Sequence, residues 1–343
     1  MRKRRLALAG AMVLLALCPV AGRDAAAQAP QAPRASQASL ELQIPFQAIG
    51  IGLTPLWTAI ENGLFRKYGI EASTTFISQS PTLVAAMLSG DTPFAISGQD
   101  AVINADLNGG DIAILASGPE KLVFTIYAAR DLHTVADLKG KDIGISQFGA
   151  TTDFITRYVL KQAGMEARRD ADIIPMGTQA NNLAALQAGT IHAAVLAPPT
   201  TLKAKKLGFN PVADMADYDL LFYTSALLAK RSWVAAHPGD ALNVVRGYVA
   251  GVAMVHNNRQ AAEAALGKYS DTSDKELLDA SYEALVKVLP RNPVPQEAAL
   301  QTGLDENANP AAKTADPKSF IDASFLARLQ REGFIDALYK GAE

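Results

Sequence analysis

Along the chain, short apolar runs alternate with longer segments of helical periodicity, and the two kinds of segment follow one another in a repeated order. Leu40 to Ile51 alternates and then runs apolar, which predicts a first strand ending in Gly52-Leu53-Thr54. Pro55 stands at a helix start, where its missing N–H costs nothing, and Leu56, Ala59 and Ile60 give that helix an inner face. Glu71 to Ile77 predicts a second strand, Pro81 opens an Ala-rich helix, and Phe94 to Ile96 predicts a third strand. A helix over Ala101 to Leu107 follows, then strands over Ile112 to Ser117 and Leu122 to Ala128, both expected in the same sheet. The next stretch restarts the pattern: strand Asp142 to Ser146, helix Phe154 to Ala163, strand Ile173 to Met176, helix Gln179 to Ala188, strand Ala193 to Leu196.

The restart is a repeat. Val84 to Gly90 followed by Phe94-Ala95-Ile96 matches Leu183 to Gly189 followed by Ala193-Ala194-Val195, with the same internal spacing. Ile49-Gly50-Ile51-Gly52 likewise matches Ile143-Gly144-Ile145-Ser146. In both copies an Ala- and Leu-rich helix stops at a glycine, which accepts the positive φ of a helix C-terminus. Two similar α/β units predict two lobes facing a cleft, because loops at the C-terminal ends of parallel strands line a common crevice. One doubly wound domain is the alternative. Leu220 to Leu228 predicts a strand leading back to the first unit, so the chain crosses twice, near Arg130 and near Ser225, and two crossings make a hinge. From Ala235 onward the pattern is helical, over His237 to Asn257, Asn258 to Leu266, Ser273 to Val288 and Ser319 to Leu329. The expected organisation is one lobe from residues 40–130 and 225–343, the latter including the helical tail, and a second from 131–224.

The ends and the composition narrow the setting. Met1-Arg2-Lys3-Arg4-Arg5 is basic, and Leu6 to Val20 is apolar but too short for a stable membrane span, which predicts a secretory signal over residues 1–27. Ala25-Ala26-Ala27 supplies the small residues for cleavage after Ala27, with Ala29 the next choice. Cys18 is the single cysteine, and bulky Leu17 before it disfavours lipid attachment. A mature chain without cysteine has no disulfide, thiolate metal site or cysteine nucleophile, and suits an oxidising periplasm. Residues 28–39, rich in Gln, Ala, Pro and Ser, cannot offset their own ordering entropy and read as a disordered leader. The net charge of −2 and the scattered basic residues exclude the Lys/Arg stripe that a nucleic-acid groove requires.

The segment Thr54-Pro55-Leu56-Trp57-Thr58-Ala59-Ile60-Glu61-Asn62-Gly63-Leu64-Phe65-Arg66-Lys67-Tyr68-Gly69-Ile70 resembles solute-binding proteins that serve ABC importers of the sulfonate, taurine, nitrate and pyrimidine-precursor group. Leu83 to Gly90, Val135 to Ile145 and Phe320 to Phe325 join the match. The resemblance implies an α/β, two-lobed periplasmic-binding-protein fold of type II, each lobe a mixed, mostly parallel sheet flanked by helices. It also implies a monomeric receptor that closes on a small molecule and presents it to a membrane permease, with no cofactor and no metal.

Candidate ligand-binding residues follow from the strand ends. Ser146 to Thr152, which includes Gln147, Phe148, Gly149, Ala150, Thr151 and Thr152, runs from a strand into a helix, where free N–H groups and the helix dipole favour an anionic oxygen. Thr151 or Thr152 acting only as a helix cap is the plainer reading. Pro55, Leu56 and Trp57 form the equivalent loop, and Trp57 either packs on ligand or belongs to the core. Gln79, Ser80, Gln99 and Asp100 are polar residues at strand ends of the first unit. Pro198, Pro199 and Thr200 face them, and Phe222 and Tyr223 sit at the return crossing. Asp100 would repel an anion, so it either points away or meets a ligand that also carries a donor. With Lys121, beside Glu120, the one cation in the expected cleft loops, a monoanion or a neutral polar ligand fits better than a dianion.

Two rival readings use the same fold. An enzyme related to the pyrimidine synthases that share this fold would need a histidine donor and a cysteine-rich loop for iron, whereas His133, His192, His237 and His256 stand apart without ligand spacing. A receptor for a sensor kinase would use the same closed cleft.

Overall fold

The computed structural model describes residues 39–78 and 80–340. The expected secretory signal, nearly all of the leader, and Gln79 lie outside the described residues. The first unit runs β1 (Leu40–Gln43), α1 (Thr54–Glu61), β2 (Ile70–Ser73), α2 (Ser80–Ser89), β3 (Phe94–Ser97), α3 (Gln99–Asp106) and β4 (Ile112–Ala116). After β5 (Thr125–Ala128), the second runs β6 (Asp142–Ile145), α4 (Thr151–Gln162), β7 (Asp172–Pro175), α5 (Gln179–Ala188), β8 (Ala193–Leu196), α6 (Thr200–Lys206) and β9 (Asn210–Asp214). After β10 (Ala226–Lys230), the chain is helical: α7 (Arg231–Ala236), α8 (Pro238–Asn257), α9 (Arg259–Tyr269), α10 (Lys275–Val286), α11 (Glu297–Asp305), α12 (Ser324–Arg331) and α13 (Phe334–Tyr339).

The repeat extends to topology. In the second sheet the order is β7-β6-β8-β5-β9, with β6 parallel to β7 and β8, and β5 antiparallel to β8 and β9. In the first, β1 is parallel to β2, and β10 lies antiparallel between β3 and β4. Phe46, just past β1, bridges in parallel to Phe76 and to Ile96, which joins the two pieces in the order β2-β1-β3-β10-β4. The two orders correspond strand for strand. The matched helices α2 and α5 are both followed by glycines in the left-handed region, Gly90 at φ 94° and Gly189 at φ 71°, where any side chain would be strained.

Strands β3, β4, β5 and β8 are buried along their whole length, as expected of strands covered on both faces. One face of the first sheet packs on α1 and α8, with Trp57, Phe65 and Tyr248 in the core; the other carries Leu83 of α2, Val102 of α3 and Leu300 of α11. The second sheet is covered by Ile155 and Val159 of α4 on one side and by Leu183, Leu186 and Ala204 of α5 and α6 on the other.

Several expectations change. The first strand, expected to run to Ile51, ends at Gln43, and Ile51–Leu53 forms a short 3-10 turn into α1, so Ile49 to Gly52 is not the strand equivalent of β6 that its likeness to Ile143 to Ser146 suggests. The strand expected over Leu122 to Ala128 starts at Thr125 and belongs to the second sheet, not to that of Ile112 to Ala116. The first crossing therefore lies between Ala116 and Thr125 rather than near Arg130, and Leu122 already packs in the core of the second sheet. The strand expected from Leu220 begins at Ala226; the second crossing falls between Phe222, in the core of the second sheet, and Tyr223, in that of the first. Helices α6, α7 and α11 and strand β9 were not foreseen.

Candidate functional site

The C-terminal ends of the parallel strands in both sheets open onto one cleft of about 290 Å³, near the lower end of the range for small-ligand pockets. Its first wall is apolar at Ile49, Leu53, Phe76 and Ile96, with Gln47 and Ser97 between them. Ser97 donates its hydroxyl proton to Gln47 Oε1, and Ser225 donates to the carbonyl of Gly52 at 3.0 Å. Phe124, Thr224 and Ser225, from the two crossings, form the floor.

The second wall is built from the β6–α4 loop, the β7–α5 loop and the start of α6. Ser146 N donates to Thr152 Oγ1 at 2.9 Å, and the two hydroxyls are 2.7 Å apart, which folds the loop back over the helix start. At α4 the cap residue is Ala150, which has no side chain to satisfy the first-turn N–H groups. At α5 the cap residue Thr178 accepts only from Asn181 N. The N–H groups of Thr151, Thr152, Gln179 and Ala180 thus have no acceptor among the described residues, and all four residues line the cleft. Free N–H groups at two helix N-termini, with the dipoles behind them, favour an anionic oxygen. Lys203, one turn into α6, is the one charged side chain among the described residues of the lining.

A second compartment of about 330 Å³ lies on the far side of the α4 start, where Asp100, Asn104, Gly149, Asp153, Arg157 and Arg168 line it. Ala150 borders both spaces, and the Asp100–Thr151 contact stands between α3 and α4.

Of the residues expected from sequence, Ala150, Thr151, Thr152, Pro199 and Thr200 line the cleft. Asp100 and Gly149 line the second compartment instead, with Asp100 Oδ1 3.3 Å from Thr151 Oγ1. Pro55, Leu56 and Trp57 do not reach the cleft, because α1 turns them into the core. Trp57 is fully buried, stacked on Tyr269 with ring centroids 4.9 Å apart and edge-on to Phe46 at 5.5 Å. Gln99 is also fully buried and ties elements together: its Nε2 donates to Ala299 O at 2.6 Å and its Oε1 accepts from Tyr223 N at 2.9 Å. Tyr223 is held under the first sheet, its hydroxyl accepting from Gln296 N, and burial pushes its phenol up to about 12. Ser80 is buried in the first turn of α2, Gln147 and Pro198 fall outside the lining, and Phe148 is exposed beneath the Arg168 guanidinium, 4.8 Å from its ring centre. Lys121, expected as the cleft cation, pairs with Asp219 at 3.7 Å; Lys203 takes that place because α6 starts at Thr200.

The repeat held a signal for the residues that were missed. Carrying Ser78, Gln79 and Ser80 forward by the spacing that relates Gly90 to Gly189 lands on Gly177, Thr178 and Gln179, all in the lining. Gln47, Ser97 and Ser225 carried no comparable mark. The four histidines lie elsewhere: His256 Nε2 is 3.1 Å from Leu289 O, where burial lowers its pKa, His237 stacks on Trp233, and His133 and His192 contact Asn210 and Asp142.

Two α/β units of matching strand order, joined by two crossings and opening on one cleft, define a two-lobed periplasmic-binding-protein fold, and solved structures share it. The periplasmic nitrate-binding protein of Synechocystis superposes with a TM-score of 0.74 at 16% identity, over 89% of this chain and 92% of that one. The periplasmic aliphatic sulphonate binding protein of Escherichia coli gives 0.66 at 20% identity, over 84% and 99%. The chain belongs to the NMT1/THI5-like family, whose model matches residues 51–262. A protein of Brucella abortus (strain 2308), described only as a binding protein, is 30% identical over 192 residues, which span 52% of this chain and 56% of that relative.

Proposed function

We propose that this chain is an extracytoplasmic solute-binding receptor that takes a small organic ligand into the cleft between its two sheets and delivers it to the permease of an ABC importer. The observation that carries this reading is the second wall: four backbone N–H groups at the starts of α4 and α5 that have no acceptor among the described residues, with Lys203 in the same lining. That wall suits one anionic or strongly polar group, and Ile49, Leu53 and Phe76 opposite suit an apolar body. A single nearby cation favours a monoanion over a dianion. Residues 117–124 and 215–225 serve as the hinge, and ligand contacts to both walls favour the closed form, which the permease reads. The protein binds and releases its ligand unchanged. The nitrate- and sulphonate-binding proteins that share the fold make those two ligand classes the first to try.

A thermal-unfolding screen against sulfonates, carboxylates, nitrate, and pyrimidine and purine analogues tests the proposal. Ligand at about a hundred times its Kd stabilises the folded state by about 2.7 kcal/mol and raises the midpoint visibly. No shift with any compound, together with turnover of one of them, would overturn it.

A further inference from the structure

We propose that Asp100 is a positioning residue for ligand capture: as the neutral acid it ties the start of α3 to the start of α4, and as the carboxylate it lets the two part. Its bearing on capture rests on the receptor reading above, but the tie itself is measured without ligand, so the two can fail separately.

The geometry is specific. Asp100 is 9% exposed, and its Oδ1 lies 3.3 Å from Thr151 Oγ1, across the junction between the two units. Its Oδ2 is buried with no hydrogen-bond partner among the described residues. Approach this close requires a glycine at position 98, where a Cβ would collide with the Asp100 carboxyl group and sit 3.0 Å from Thr151 Oγ1. One further contact crosses at the same place, from Asn104 Nδ2 to Gly149 O at 3.4 Å. Thr151 also lines the cleft, so whatever holds its side chain positions one edge of the candidate anion site.

Among the described residues, the charges around Asp100 leave it without a counter-ion. On α4, Asp153 repels it and is itself satisfied, by Arg157 Nε at 2.9 Å and by Gly149 N at 3.0 Å. Just past α11, Glu306 is paired with Lys161 at 2.7 Å. Arg168 lies over Phe148, and Tyr223, whose backbone carbonyl accepts from Gln99 N, turns its hydroxyl to Gln296 N. A bare carboxylate at this spot has one weak donor and a neighbouring negative charge. The neutral acid gains a proton to share and loses the repulsion.

Burial, with a smaller contribution from Asp153, pushes the Asp100 carboxyl up from 3.8 to about 7, although hydrogen bonds from Thr151 and the backbone oppose the shift. Opened to water the acid would return toward its ordinary value, so forming the tie takes up a proton between those two limits. The tie is therefore at full strength below about pH 4 and is lost as pH rises through about 7.

The test is hydrogen–deuterium exchange of the ligand-free full chain between pH 5.5 and 8.5, corrected for intrinsic rates, read on peptides covering residues 98–105 and 147–156. Wild-type protection in both peptides should fall by about tenfold per pH unit from pH 5.5 toward 7, one proton's worth of linkage, and level off above it. Asp100→Asn, near-isosteric and neutral, should keep high protection throughout. Thr151→Val should be weakly protected at every pH, and Thr151→Ser should restore the wild-type profile. A flat wild-type profile, or an unchanged profile in Asp100→Asn, overturns the proposal. If circular dichroism shows that Asp100→Asn does not fold, the threonine pair decides: a wild-type profile in Thr151→Val overturns it.

Discussion

Trp57 lies flat against Tyr269, with ring centroids 4.9 Å apart and planes within 2° of parallel, so the helix that opens the first unit is bound face to face to the end of α9 in the tail. Replacing Trp57 with Ala would remove a fully buried indole and both of its aromatic contacts. The expected cost is about 3–5 kcal/mol of stability, the usual range for emptying such a site. Urea unfolding measures it. Affinity of the folded fraction for any ligand found in the thermal screen should stay at the wild-type level, and a loss of affinity would return Trp57 to the cleft.

The same cluster gives stability a pH dependence. Tyr269 donates its hydroxyl to Glu61 Oε1 at 2.9 Å, and Lys268 Nζ lies 2.7 Å from Glu61 Oε2. Partial burial pushes the Glu61 carboxyl up, but the two hydrogen bonds outweigh it and leave its pKa below the ordinary 4.5. A lowered acid stabilises the fold above its unfolded value and loses that contribution as pH falls through the folded one. Unfolding midpoints measured downward from pH 5 should therefore decline less steeply in Glu61→Gln than in the wild type.

Gly251 sets two effects of opposite sign against each other. It lies inside α8, where alanine would gain about 1 kcal/mol of helix propensity. A Cβ there would come 2.8 Å from Ala59 Cβ and collide with the Pro55 carbonyl, which is backbone and cannot swing aside. Overpacking of this kind costs about 1–3 kcal/mol, so Gly251→Ala should be destabilising on balance despite the better helix former. A lower midpoint in guanidinium unfolding is the expected result.

Lys203 tests the polarity of the cleft. Lys203→Met keeps the length and the apolar stem while removing the charge. A monoanionic ligand should bind about tenfold more weakly, equivalent to about 1.4 kcal/mol. The salt dependence of its affinity should shrink as well, since screening acts on the lost interaction. Titration calorimetry at two ionic strengths reads both effects, and a neutral ligand should be indifferent to the change.

Much of this architecture is legible in the residues, and the losses have identifiable causes. Gly90 and Gly189 mark equivalent helix ends by chemistry alone, which is why the repeat could be read. Trp57 misleads because periodicity shows that a helix has an inner face without showing that Pro55 and Leu56 share it. The residues Thr125 to Ala128 are buried on both faces and suit either sheet, so their pattern carries no mark of the one they join. Lys203 was invisible for another reason: Thr200 to Lys206 has too few apolar residues to announce a helix, yet that helix carries a charge into the cleft.

The strand β10 lies between β3 and β4, which do not pair with each other, so the first sheet has a vacancy that the chain fills only after the whole second unit has been laid down. A polypeptide made from its N-terminus must therefore carry β1 to β4 as an unfinished sheet until residue 230 is available. Folding waits on a long-range pairing, with the slow kinetics that such pairings bring.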